Sequence, residues 1–260
     1  MSTNKNQIEQ IASDGYDLDF SRVIESAFEN YKKIFGIAGL GFMIYAVLIF
    51  VILAGLLGSF YGFANFTETM TGFAKSTETA TSVSILFGSA IFAGIFSPVN
   101  AGFLKMCKNA SSNQPYSLNT LFDYYNATYF KDLFLATALV SMIGSGFDFG
   151  FKALGNEFVG SILSLVLSFL TILSIPLIIF NNFSFADAIT TSIRLVMKKP
   201  FIILILLIIA VLFVVIGIFG LCIGIFFTAP FWYSMNYILY EEIIPESENS
   251  ILDEIGTKQE

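Results

Sequence analysis

The polar side chains placed to act together are four asparagines. Asn100, Asn181, Asn182 and Asn236 each follow one of three prolines, Pro98, Pro176 and Pro230, by no more than six residues. An amide carries donors and an acceptor but no titrating proton. The chemistry on offer is therefore neutral hydrogen bonding. Two readings stay open: the asparagines line a polar vestibule, or they cap backbone that proline leaves unpaired. Nothing nearby adds acid-base or metal chemistry. The chain has no His, which removes imidazole from zinc and non-haem iron sites and forbids Ser-His and Cys-His nucleophile pairs. No catalytic residue, metal ligand or cofactor is assigned, and an enzyme is disfavoured.

Other fragments carry less. Cys107 and Cys222 sit in or beside apolar runs, far apart, and read as reduced apolar residues. Gly144-Ser145-Gly146-Phe147-Asp148 faintly resembles an intramembrane aspartyl protease motif. Such enzymes need two membrane carboxylates, and this region offers only Asp148. Ala90 with Gly94, and Gly220 with Gly224, are small pairs that let helices approach closely.

The elements that must hold these residues are membrane helices. Hydrophobic residues make up 55% of the 260 and charged residues 13%, against about 25% charged in soluble domains. Mean hydropathy is +0.75. Apolar runs over 34–59, 82–106, 133–149 and 158–180 each read as one span of roughly 20 residues. The run 201–240 would reach about 60 Å as one helix, twice the hydrocarbon core. It reads as a hairpin turning near Gly217, Gly220 and Gly224. The expected fold is all-α: a polytopic bundle of six transmembrane helices arranged as three hairpins.

Basic residues orient it. Eleven Lys and Arg fall in the two termini and alternate loops, against Lys75 and Lys152 in the opposite loops. Excess positive charge marks the cytoplasmic side, so both termini are expected inside a bacterial cytoplasmic membrane. The first 33 residues lack a signal-peptide pattern. Asn65 to Thr67 fits a glycosylation acceptor of little weight. The net charge of −7 argues against a nucleic-acid partner. Residues 1–18 read as a polar N-terminus, 19–240 as the membrane domain and 241–260 as an acidic tail.

A threefold pattern runs through that domain. Counted from Asp19, Ser117 and Ser184, apolar residues recur at about +1, +4, +5, +8 and +9, and a lysine stands at +14. Each start is a helix cap, with Asp187 suggesting a capping box after Ser184. Each stripe covers one helix face. Each lysine, Lys33, Lys131 or Lys198, is expected at headgroups or cytoplasmic water. The units are about 19–108, 117–182 and 184–240, each a cytoplasmic-face amphipathic helix followed by a hairpin kinked at its proline.

The stretch IPLIIFNNFSFADAITTSIRLVMKKPF, followed by LFVVIGIFGLCIGIFFTAPFWYSMNYILYEE, resembles a broad bacterial family of six-span membrane proteins. That family includes the membrane domain attached to some glycerophosphoryl diester phosphodiesterases. FSRVIESAFENYKK extends the resemblance to the first third. The resemblance implies a fold and a location, with no activity, because the phosphodiesterase is a separate soluble domain. Similar chains sometimes carry a β-carotene oxygenase name, which the lack of His disfavours. Three functions follow in order of expectation. The first is a scaffold, accessory or regulatory subunit, with the bilayer and a protein recruited by the acidic tail as partners. The second is a transporter or permease-like protein for an apolar or lipid-like substrate. The third is a membrane enzyme.

Overall fold

The computed structural model describes residues 2–61, 79–219 and 224–245, and every regular element among them is helical. In chain order these are α1 (Ser2–Asp14), α2 (Phe20–Tyr61), α3 (Thr79–Ser111), a 3-10 segment (Leu118–Tyr125), α4 (Ala127–Ala153) and α5 (Glu157–Leu170). Then follow α6 (Ser174–Asn181), α7 (Phe185–Lys198), α8 (Pro200–Ile216), a 3-10 turn (Gly217–Phe219), α9 (Gly224–Thr228) and α10 (Pro230–Ile243).

Among the described residues, five stretches are long and apolar enough to cross a membrane: Phe20–Gly55, Leu86–Ser111, Thr128–Ala153, Glu157–Asn181 and Pro200–Phe219. They carry large apolar side chains on their outer surfaces, such as Phe158 at 78% exposure and Phe201 at 79%. Such surfaces suit a lipid surround and are a liability in water. The third stretch corrects the short 133–149 reading, because α4 runs for 27 residues. A sixth long span is not among the five. The second half of the 201–240 run is divided into α9, with 5 residues, and α10, with 14.

Glycine does act where α8 ends. A Cβ on Gly217 would lie 2.8 Å from the Gly224 carbonyl oxygen and 2.1 Å from Thr228 Oγ1. Only glycine allows this approach. Thr228 Oγ1 donates to the Val214 carbonyl at 3.0 Å, tying α9 to α8. Gly220 and Cys222 lie outside the described residues, as do Asn65 to Thr67, Lys75 and the chain from 246 onward.

The three capped segments take three forms. Asp19 Oδ1 accepts from the Arg22 N–H at 3.1 Å, but α2 continues unbroken for 42 residues, so amphipathic helix and span are one. The segment after Ser117 is 3-10 rather than α. Gly102 of α3 explains its closeness: an added Cβ would stand 2.5 Å from both Leu121 Cα and Leu121 O. Only α7 is a separate amphipathic α-helix. Ser184 Oγ accepts from the Asp187 N–H at 3.3 Å, and the next helix restarts with Pro200 in its first turn. The Asp187 carboxylate completes no capping box; it pairs with Lys5 at 2.6 Å.

Two of the +14 lysines, both exposed, bond to the ends of neighbouring helices. Lys33 Nζ donates to the Ala110 carbonyl at 3.1 Å, and Lys198 Nζ to the Ser13 carbonyl at 2.6 Å. Both acceptors lie in the last turn of a helix, α3 and α1 respectively, where carbonyls lack an intrahelical partner and the dipole favours a cation.

The polar N-terminal stretch contains α1, which packs on α7 with Ile8 and Ala12 buried, and Leu18 beyond it is buried too. Lys199 pairs with Asp17 at 2.9 Å, and Tyr16 donates to the Leu195 carbonyl at 2.9 Å. Glu241 and Glu242 belong to α10, where Glu242 pairs with Arg22 and Glu241 accepts from Tyr237 at 2.9 Å. Together α1, α7, the last turn of α3 and the end of α10 form one end of the bundle, here called the base.

Candidate functional site

Proline shapes the interior in three ways. Pro98 sits inside unbroken α3, where it cannot donate to the Gly94 carbonyl; Ser97 Oγ does so instead, at 2.8 Å. Pro176 follows a real interruption: helix geometry lapses over 171–173 and resumes at α6. Pro230 opens α10 after a one-residue break at Ala229. Pro176 and Pro230 thus mark helix starts, where the sequence suggested kinks.

The break before Pro176 holds α5 apart from α10. α5 packs along α4 and makes no substantial contact with α10. A cleft of about 310 Å³ remains, bounded by α3, α4, the α5–α6 break and α10. Asn100 and Leu104 come from α3, and Ala136, Thr137 and Val140 from α4. Ser168, Thr171 and Ser174 face them from the broken helix, with Trp232, Tyr233 and Asn236 from α10. The volume is at the lower end of the roughly 300–1,000 Å³ of small-molecule sites. No Lys, Arg, Asp or Glu is among the lining residues.

Two walls are held firmly. The Tyr233 ring stacks on Phe103 with centroids 4.6 Å apart. Its hydroxyl donates to Asn100 Oδ1 at 2.7 Å. Thr171 Oγ1 is spent on its own helix, donating to the Leu167 carbonyl at 2.9 Å. Two residues of the lining turn an oxygen away from it. Ser174 Oγ and Asn236 Oδ1 are buried and have no hydrogen-bond partner among the described residues. Their residues are 4% and 7% exposed. A buried polar atom left unpaired costs about 1–3 kcal/mol, a cost both oxygens carry.

Of the four asparagines singled out by sequence, Asn100 and Asn236 reach this cleft. Asn181 and Asn182 do not. Asn181 Oδ1 accepts from the Tyr240 hydroxyl. Asn182 takes the left-handed conformation, φ 55°, that ends α6. The serine and threonine side of the site was missed, although Ser168, Thr171 and Ser174 recur every third residue in the fourth apolar run, a stripe on one helix face.

Among the described residues no cluster of three His, Cys, Asp or Glu is arranged to hold a metal ion. Asp148 is exposed on α4. Fold and site together define an all-helical protein with several helices able to cross a membrane and a neutral, polar-lined cleft between them. Comparison with protein families, curated proteins and solved structures found no match.

Proposed function

We propose that the protein is a multi-pass protein of the bacterial cytoplasmic membrane that binds and passes a small lipid-like molecule through the α3–α4–α6–α10 cleft. The observation that carries this reading is a cleft of about 310 Å³ among the helices, whose lining mixes neutral polar side chains such as Asn100, Thr137 and Ser168 with apolar ones and holds no charge. A scaffold has no use for such a cleft, and a carrier needs one. The proposal includes six crossings in three hairpins with both termini cytoplasmic, the α9–α10 pair supplying the sixth. The clustering of cations at the base supports that orientation, as does the resemblance of the last third to six-span bacterial membrane proteins.

Native mass spectrometry after gentle extraction tests the reading. The wild type should retain a lipid-like species that Ser168→Phe, which narrows the mouth, releases. Recovery of a stoichiometric protein partner and no bound species would instead favour an accessory subunit recruited through the acidic tail.

A further inference from the structure

We infer that the cleft selects an uncharged lipid through a carbonyl group, which accepts from the open donors of Asn100, Thr137 and Asn236 while the chain lies among Leu104, Val140 and Ile175. This rests on the reading of the cleft as a binding site and names what it takes. Three observations carry it. First, the open polar groups are donors. Asn236 keeps its oxygen sealed, whereas its Nδ2 is neither sealed nor hydrogen-bonded among the described residues. The residue is 7% exposed and lines the cleft, so the cleft is where that nitrogen opens. Asn100 is arranged alike. Its Oδ1 accepts from Tyr233, which leaves Nδ2 unbonded and open. The Thr137 hydroxyl is also unbonded and open. An amide nitrogen donates and cannot accept, so each asparagine seeks an acceptor. Second, the two amides are neighbours. Tyr233 holds Asn100, and Asn236 follows Tyr233 by three positions on the same face of α10. A carbonyl oxygen has two lone pairs and can take two such donors at once. Third, no lining side chain is charged. A carboxylate or phosphate would enter with no counter-charge, and desolvating a charge without one is strongly unfavourable. An ammonium head would in addition bring donors to donors. Acyl esters and quinones share the carbonyl chemistry.

Trp232 makes the test direct, because it is the protein's one tryptophan and lines the cleft. The full chain is reconstituted in nanodiscs of diether phosphatidylcholine, which presents no carbonyl. Trp232 fluorescence is titrated with methyl dodecanoate, with tetradecane of matching length, and with dodecanoate. The ester should bind about tenfold more tightly than the alkane, the equivalent of one hydrogen bond, and more tightly than dodecanoate. Asn236→Leu and Thr137→Val should each cut the preference for ester over alkane severalfold, and the double variant should abolish it. Circular dichroism checks that each variant is folded, and Thr137→Val, which exchanges a hydroxyl for a methyl, serves should Asn236→Leu fail that check. Displacement of methyl dodecanoate by dioctanoylglycerol or by decylubiquinone, read by native mass spectrometry, then separates an ester lipid from a quinone. Equal binding of ester and alkane, a preference for dodecanoate, or an unchanged preference in the folded variants overturns the carbonyl assignment and leaves the cleft a binding site. No Trp232 response to any of these compounds overturns the binding reading itself.

Discussion

Ser192 of α7 repairs the backbone at Leu173, nineteen positions earlier in the chain: its Oγ accepts from the Leu173 N–H at 3.1 Å. The same hydroxyl donates to the Leu170 carbonyl at 2.8 Å. One fully buried serine thus serves both sides of the break that Pro176 follows, and that break places Ser174 in the cleft. Ser192→Ala leaves a buried donor and a buried acceptor unpaired. The expected cost is about 1–3 kcal/mol, read as a lowered midpoint of denaturant unfolding in detergent. A midpoint equal to the wild type would mean that the break holds itself open without α7.

Gly102 is expected to be equally intolerant, for a steric reason. A methyl group there meets the Leu121 backbone at 2.5 Å, and backbone cannot swing away as a side-chain tip can. Gly102→Ala should push the 3-10 segment off α3 at a cost of about 1–3 kcal/mol. Faster hydrogen exchange over 118–125, with α8 unchanged, is the expected signature. Uniform exchange across the bundle would indicate global loosening instead.

These two positions show what was legible in the sequence and what was not. Caps at Asp19 and Ser184 were readable because a cap is a local contact, made within three residues. The Asn100 and Asn236 placements were half-readable, since distance from a proline sets depth along a helix but not the face. Asn182 could not be placed from the sequence, because its φ of 55° depends on how α6 ends. Ser192 was read as part of an apolar stripe, and nothing local reveals that its partners lie on another helix. In α1, Ile8 and Ala12 are spaced for one face, yet a run this polar looks solvated until α7 is present to cover it.

The clasp between α1 and α7 should open in acid. Hydrogen bonding and charge from Lys5, with a further bond from Ser184, hold the Asp187 carboxyl below its usual range. Lys199 does the same for Asp17. A lowered folded value means stability that is complete above about pH 4 and lost as pH falls through the lowered values. The burial of Tyr16 raises its hydroxyl, so that contact is complete below about pH 10 and is lost only as pH rises through the raised value. Limited proteolysis should cut residues 15–19 faster near pH 3 than at pH 7, and 1 M salt at pH 7 should mimic part of the effect. Cleavage that does not change with pH or salt would assign the clasp to Ile8 and Ala12 alone.

The orientation makes a prediction that depends on no chemistry in the cleft. Ser112 lies at the base, just past α3, and Leu154 lies at the opposite end, between α4 and α5. Both are exposed. Native Cys107 is buried, so a Cys222→Ser background leaves only an introduced thiol reactive. A membrane-impermeant maleimide should label Leu154→Cys in intact spheroplasts and Ser112→Cys only after permeabilisation. The cations predict this direction, since among the described residues Lys33, Lys105, Lys108, Lys198 and Lys199 lie toward the base while Lys152 stands at the other end. Excess positive charge stays on the cytoplasmic side. The reverse labelling pattern would turn the cleft's nearer end outward. Labelling of both sites in intact cells would mean that α4 does not cross.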